Sequence, residues 1–284
     1  CSQERILSGV APGAFLVPVN VFSNYDGDTT ALDSDIIAGL EWLYANRSLT
    51  NPEGGDPIPL VAINMSLGGG RHFDYCYTDP RAPIISLLRS AGVATVIASG
   101  NERYNDSVAA PACIPDATTV GATDRNDEVV SFSNSFYPVD LLAPGVGIRS
   151  ATDVVAGSPP GAVALNGTSM ATPHVAGAFA LLASAFPDAS VTDIEQALRL
   201  SGRPVTDPDN GLTRPRINVA AARDYLTDLA SREGPITMTP QMRYFASINI
   251  NRPEAPDAAI YEIRNSGSSA VTLTVETVDN NAIM

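Results

Sequence analysis

Short apolar runs alternate with amphipathic stretches over the first two thirds of the chain. Three of these runs have the length of a β-strand and lie at residues 15–22, 60–65 and 93–98. Strands that alternate with helices at this spacing imply right-handed crossovers and a parallel sheet with helices on both faces. We therefore predict an α/β fold. In such open sheets, ligands bind at the carboxyl ends of the strands.

Start and stop signals bound the predicted helices. Ser34 is expected to cap the first helix, and Pro83 and Gly92 to bound the second. Ser190 and Asp193 have the spacing of a capping box, and that helix should end at Gly202. Two further strands are expected at 117–122 and 140–143, and a segment rich in Gly and Pro follows at 144–161. A last helix at 219–230 completes the expected domain.

Composition excludes some classes of partner. The formal net charge of −14 over 284 residues would repel nucleic acid and anionic membrane surfaces. No apolar run approaches the length of a bilayer span. We therefore expect neither nucleic acid nor membrane as a partner.

The hydrophobic period changes to two near the C-terminus, where residues 271–278 alternate between apolar and polar. We interpret residues 231–284 as the start of a truncated β-sandwich that follows a domain over 1–230. The alternative is a terminal hairpin packed on the first domain.

Ser169 stands out as a candidate nucleophile. It lies in residues 166–177, NGTSMATPHVAG, where small neighbours leave space beside its hydroxyl and an apolar helical pattern follows. A serine at a helix start can also serve only as a cap. The surrounding residues decide between these interpretations.

Residues 166–177 resemble the nucleophile motif of the subtilisin-like serine proteases. Two further blocks come in the order of that family. Residues 64–70, NMSLGGG, resemble its substrate-binding strand, and residues 98–102, ASGNE, resemble its oxyanion-hole block. The resemblance covers about residues 8 to 225.

The resemblance implies a serine endopeptidase that forms an acyl-enzyme on Ser169, with the Ser169 N–H and the Asn101 amide as oxyanion-hole donors. It implies a peptide or protein substrate, a secreted enzyme, an N-terminal propeptide in the full-length protein and no cofactor for the chemistry; structural calcium is compatible with it. Glu102 is interpreted as a solvated charge at the pocket rim, with selection of a basic or polar substrate residue as the alternative. The implied substrate-binding residues are Ser66, Leu67, Gly68, Gly69, Ala98, Ser99, Gly100 and Glu102.

The aspartate and histidine motifs of the family are missing from the chain. Of the two histidines, His174 matches a structural position of the nucleophile motif, and His72 is expected in an exposed loop. We therefore expect the catalytic base and its orienting acid upstream of residue 1, so that residues 1–230 form a subtilisin-like domain that lacks its N-terminal part. Two alternatives are a catalytically silent binding module and another serine hydrolase, although the G-x-S-x-G motif of esterases is absent.

The three cysteines allow one disulfide, for which Cys76 and Cys113 are the plausible pair. The alternative is three unpaired thiols. No Cys or His spacing suits a metal site. By the resemblance, residues 110–112 close the far side of the substrate pocket, and the Ala110–Pro111 peptide bond is expected to be cis.

Overall fold

A six-stranded sheet organises the larger part of the molecule. The computed structural model describes residues 8–25, 27–152, 161–231, 236–239 and 262–265. The helices are α1 (Asp33–Ala45), α2 (Ala82–Ser90), α3 (Thr168–Ala185), α4 (Val191–Ser201) and α5 (Val219–Ser231). The strands of the first half are β1 (Ser23–Tyr25), β2 (Asp28–Thr30), β3 (Ser48–Leu49), β4 (Ile58–Pro59), β5 (Ala62–Met65), β6 (Gly69–His72), β7 (Ala94–Ala98) and β8 (Val108–Ala110). Those of the second half are β9 (Thr118–Thr123), β10 (Leu141–Pro144), β11 (Ile148–Thr152), β12 (Gly161–Leu165), β13 (Arg203–Thr206), β14 (Thr213–Arg216), β15 (Ile236–Thr239) and β16 (Glu262–Asn265).

The strand order of the sheet is β5-β7-β9-β10-β14-β13. All neighbours pair in parallel except β13, which lies antiparallel to β14 at one edge. Parallel strands require crossover connections, and α2 provides one between β5 and β7, while α3 and α4 lie between β10 and β14. The predicted α/β fold is confirmed.

The sheet is covered on both faces, as its sequence pattern predicts. On one face, Val96 and Val120 of the central strands belong to a core with residues of α3, α4 and α5. On the other face, Ile63 and Ile97 belong to a second core with residues of α1 and α2. Strands buried on both faces have nearly continuous apolar sequences, and β7 is buried at all five positions.

The predicted strand at residues 15–22 is not formed. Phe15, Leu16 and Phe22 are exposed, and no ladder includes this segment within the described residues. Val17 and Val21 pack against the second core instead. An apolar run indicates burial, whereas a strand also needs a neighbouring strand to receive its hydrogen bonds.

Local signals at the helix ends were predicted with mixed success. The Ser190 and Asp193 capping box is present in both directions, and Gly202 is the C-cap residue of α4. Gly92 ends α2 with a φ of +84°. The Ser34 cap is wrong, because α1 starts one residue earlier at Asp33 and Leu32 is its N-cap residue. The carboxylates of Asp33 and Asp35 lie in its first turn, where they interact favourably with the positive end of the helix dipole.

Several antiparallel strand pairs lie outside the six-stranded sheet. The Gly- and Pro-rich segment at 144–161 contributes β11 and the start of β12, which pair antiparallel. The chain divides into the compact units Cys1–Thr227 and Asp228–Met284, and in the second unit β15 pairs antiparallel with β16. Residues 271–278 lie outside the described residues, so the β-sandwich stays a prediction. Within the described part of the chain, no helix is long and apolar enough to cross a membrane.

Cys76 and Cys113 form a disulfide, as the plausible pairing predicted. The backbone N–H of Cys76 also donates to the carbonyl of Cys113 at 2.8 Å. The bridge therefore fixes the segment after β6 to the segment after β8.

A largely buried charge network lies at the amino end of β10. Asp140 accepts a hydrogen bond from the Thr119 N–H at 2.9 Å and pairs with Arg199 at 3.3 Å. Glu195 pairs with Arg89 at 2.6 Å. Burial, and next the charge of Glu195, raises the pKa of Asp140 to about 7.

The Asp140→Asn variant tests whether the pKa of Asp140 is raised. A carboxyl whose pKa is higher in the folded than in the unfolded state binds more protons when folded. The contribution of Asp140 to the free energy of unfolding is therefore present at acid pH and is lost as pH rises from about 4 to about 7. Denaturant titrations across this range should give a smaller decline with pH for the variant than for the parent. Equal slopes would contradict the raised pKa.

Candidate active site

Loops that carry the predicted site residues meet at the carboxyl edge of the sheet. Ser66 follows β5 directly, Ser99 follows β7, and Gly145 follows β10. Helix α3 begins at Thr168. Its start lies beside these loops, since the N–H of Gly167 donates to the carbonyl of Gly145 at 2.9 Å. The parallel sheet thereby brings together residues that are about 100 positions apart in sequence.

Ser169 lies in the first turn of α3 and is half-buried. The first N–H groups of a helix have no acceptor within it, so the Ser169 N–H is available as a donor. Its hydroxyl donates to the carbonyl of Ser66 at 3.4 Å. A long bond of this kind leaves the hydroxyl weakly held.

Ser66 makes the reciprocal contact, since its hydroxyl donates to the carbonyl of Ser169 at 2.8 Å. Pro173 explains why that carbonyl is free. It lies four residues after Ser169 inside α3 and has no N–H to donate back along the helix. The sequence of α3 therefore leaves an acceptor unpaired, and Ser66 of the predicted substrate strand donates to it.

The side-chain amide of Asn101 is fixed by Thr168. The N–H and the hydroxyl of Thr168 donate to Asn101 Oδ1 at 2.8 and 3.0 Å. A backbone N–H can only donate, so the amide oxygen must face Thr168 and Nδ2 must point away. Asn101 is exposed, and Nδ2 has no acceptor among the described residues. The amide is a preoriented donor next to Ser169.

Two glycines flank a small residue that the sequence analysis did not single out. A Cβ on Gly68 would lie 3.3 Å from the Cβ of Ala109, and a Cβ on Gly100 would lie 3.1 Å from it. Ala109 is buried between the two predicted walls, and its N–H donates to Ser99 at 2.9 Å. The residue between the walls is therefore Ala109, which directly precedes the predicted closing segment 110–112. The Ala110–Pro111 bond is cis, as expected.

The predicted substrate strand is only partly regular. Residues 64 and 65 end β5 and pair with β7, and Gly69 begins β6, which pairs with β8, while Ser66, Leu67 and Gly68 lie in neither ladder. Leu67 packs against the second core. A Cβ on Gly68 would come within 3.0 Å of the carbonyl of Ala110, whereas one on Gly69 would meet nothing within 4 Å. Gly69 alone of these two glycines faces open space.

The second wall is held by Asn134, a buried residue that sequence reasoning missed. Ala98 ends β7 and is buried, and Ser99 donates from its hydroxyl to the carbonyl of Asn134 at 2.8 Å. Glu102 is exposed, and its Oε2 accepts from Asn134 Nδ2 at 2.6 Å. No periodicity or motif marks Asn134 in the sequence, because its partners lie about 30 residues away.

Neither histidine contacts Ser169. His174 directs Nδ1 to the carbonyl of Met170 at 2.8 Å within α3. His72 is half-buried in β6, not in an exposed loop as predicted, and its Nδ1 lies 3.2 Å from Cys76 Sγ. Pairing with β8 explains this burial.

His72, Cys76 and Cys113 are close enough to hold a metal ion. Both sulfurs are joined in the disulfide, however, and so offer no thiolate ligand.

A helix-start serine, a preoriented amide and a glycine-lined wall thus lie together at one edge of the sheet. Residues 2–216 match the family model described as the subtilase family. The chain belongs to the subtilase family. The predicted resemblance is confirmed.

Individual relatives agree with this assignment. The chain is 35% identical to an extracellular serine proteinase of Thermus sp. strain Rt41A over 209 residues, which are 74% of this chain and 46% of that protein. It is 32% identical to Bacillopeptidase F of Bacillus subtilis over 94% of this chain and 19% of that protein. A solved protease of Pseudoalteromonas arctica PAMC 21717 is 31% identical, with a TM-score of 0.62 over 76% of this chain and 64% of that one. The chain thus spans about half or less of these two curated relatives.

Gly100 should not tolerate a side chain. Its φ is +108°, and a Cβ there would overlap Asn134 Nδ2. We expect Gly100→Ala to lower the free energy of unfolding by about 1–3 kcal/mol, the cost of such a backbone conformation with a side chain. Gly69→Ala is the control and should cost less, because its Cβ meets open space. Equal losses in urea titrations of the two variants would contradict the described packing around Gly100.

Proposed function

We propose that this subtilase is a secreted serine endopeptidase in which Ser169 attacks the peptide carbonyl and forms an acyl-enzyme. The Ser169 N–H and Asn101 Nδ2 stabilise the negative charge that develops on the carbonyl oxygen. The reaction needs a base to take the hydroxyl proton and a third group to orient that base. It needs no cofactor beyond these groups.

The observation that supports this function best is the fixed amide of Asn101. An oxyanion-hole donor must point at the reacting carbonyl before the charge develops, because a donor that has to reorient pays that cost in the transition state. Thr168 holds the amide oxygen with two hydrogen bonds and is the residue directly before Ser169. The nucleophile and the donor are thus positioned by one contact.

The two backbone segments that flank the site indicate the class of substrate. Extended peptide chains bind proteins by main-chain hydrogen bonds to an unpaired backbone segment, and glycines permit their close approach. Ser66, Leu67 and Gly68 lie outside any strand ladder, form such a segment beside Ser169 and lead into Gly69. The facing wall consists of Ala98, Ser99, Gly100 and Glu102. We therefore assign extended peptide as substrate, with the residue before the scissile bond between the walls and above Ala109.

The base is assigned outside residues 1–284. The sequence has two histidines, and Nδ1 of His72 faces Cys76 while Nδ1 of His174 faces the carbonyl of Met170, so neither bonds the Ser169 hydroxyl. The relatives are longer than this chain, and we place the base and its orienting carboxylate in a segment that precedes residue 1 in the working enzyme. A chain that includes this segment is called the longer chain below.

Labelling with a fluorophosphonate probe tests the assignment of the base. We expect no labelling of Ser169 in residues 1–284, because neither histidine binds its hydroxyl, and efficient labelling in the longer chain. Ser169→Ala in the longer chain should abolish labelling and identifies the modified residue. Efficient labelling of residues 1–284 would show that the base lies within them. A longer chain that is folded but neither labelled nor active would support the silent binding module instead.

Asn101 should contribute mainly in the transition state. In the longer chain, Asn101→Leu is expected to lower kcat by about 10²- to 10³-fold with little change in KM, the loss typical of a subtilisin that lacks one oxyanion-hole donor. Asn101→Asp keeps an acceptor for Thr168 but loses the donor, and so separates donation from anchoring. It should lower kcat as well. A rise in KM at unchanged kcat would move Asn101 from the oxyanion hole to substrate binding.

A further inference from the structure

Asn134 is completely buried below the loop that bears Asn101. Its Oδ1 accepts from the N–H groups of Glu102 and Tyr104, both at 3.0 Å. Its Nδ2 donates to the carbonyl of Ser99 at 3.0 Å and to Glu102 Oε2 at 2.6 Å. Two acceptor lone pairs and two amide hydrogens are the full capacity of an asparagine side chain, and all are used on residues 99–104.

The backbone of Asn134 binds the same loop. Its N–H donates to the carbonyl of Gly100 at 3.0 Å, and its carbonyl accepts from the Ser99 hydroxyl at 2.8 Å. Gly100 must be a glycine for this approach, because a Cβ there would occupy the position of Asn134 Nδ2. The loop and Asn134 are therefore packed without room for rearrangement.

These bonds fix the backbone on both sides of Asn101. The carbonyl of Gly100 on one side and the N–H of Glu102 on the other both bind Asn134. Residues 99–104 have no helix or strand of their own that could hold this orientation. A rigid support is what an oxyanion-hole donor needs, since small displacements of a catalytic group cost large factors in rate.

We propose that Asn134 is a positioning residue that holds Asn101 in the geometry for transition-state stabilisation. The proposal rests on the proposed function of Asn101. Asn134 touches no substrate and acts through the backbone of the loop. Loss of its hydrogen bonds therefore lowers kcat through Asn101, and it has no effect of its own when the Asn101 amide is absent.

The test uses Asn134→Asp in the longer chain. Aspartate keeps the shape and the two acceptor contacts but cannot donate to Ser99, and it sets a second carboxylate against Glu102. We expect a decrease of about 10-fold or more in kcat with KM changed by less than about twofold. Rates are expressed per active site titrated with fluorophosphonate, so that misfolded protein does not contribute.

A double-mutant cycle with Asn101→Leu separates positioning from general destabilisation. If Asn134 acts through Asn101, then Asn134→Asp should reduce kcat by less than about twofold in the Asn101→Leu background. Asn134→Ser also removes the amide, and its effect on kcat should likewise be smaller in the Asn101→Leu background. It replaces the aspartate variant in the cycle if that variant does not fold.

Asn210→Ala is the matched control, because Asn210 Nδ2 donates to the carbonyls of Asn105 and Ser135 in the adjoining segments but not to residues 99–104. It should lower the melting temperature and leave kcat unchanged. Unchanged kcat in Asn134→Asp, or an equal loss in both backgrounds, would overturn the inference. If Asn101→Leu itself leaves kcat unchanged, then the oxyanion-hole assignment fails, which is a separate result.

Discussion

The hydrogen bond from the Thr168 N–H to Asn101 Oδ1 joins the two halves of the site. One partner begins helix α3 and the other follows strand β7, so the bond ties a helix start to the carboxyl edge of the sheet. A free N–H at a helix start needs an acceptor, and the amide oxygen meets this need while its nitrogen stays available. The acceptor that the helix start requires thereby fixes the direction of the Asn101 amide.

A second requirement of α3 works in the same way. Pro173 removes the donor that would pair with the Ser169 carbonyl, and Ser66 supplies its hydroxyl instead. One helix start thus binds the loops that follow β5 and β7 through backbone groups that the helix leaves unpaired. Both contacts would be lost if α3 began a few residues later. The N-terminus of α3 and the two loops therefore hold each other in place.

Most signals within a few residues of sequence were predicted correctly, although the Ser34 cap was wrong. The capping box of α4, the glycine end of α2 and the buried strand β7 depend on neighbours in the chain and on continuous burial. The failures at 15–22 and at His72 depend on strand pairing between distant segments. Asn134 could not be predicted because a buried asparagine is recognisable only by its partners, which the fold brings from residues 99–104. The motifs single out Ser169 and Asn101 because each motif is a short contiguous pattern, and the roles of the two residues stay predictions.

The polar contacts of the site form one connected path. It runs from Ser66 through Ser169 and Thr168 to Asn101, and the Gly100 N–H contacts the Thr168 hydroxyl at 3.3 Å. From Gly100 the path continues to buried Asn134. Bonds of this kind contribute little stability each, but a buried partner left unpaired is costly, so members of the path resist separate displacement. The proposed substrate strand, nucleophile and oxyanion-hole donor therefore share one support, which is the condition for a preorganised site.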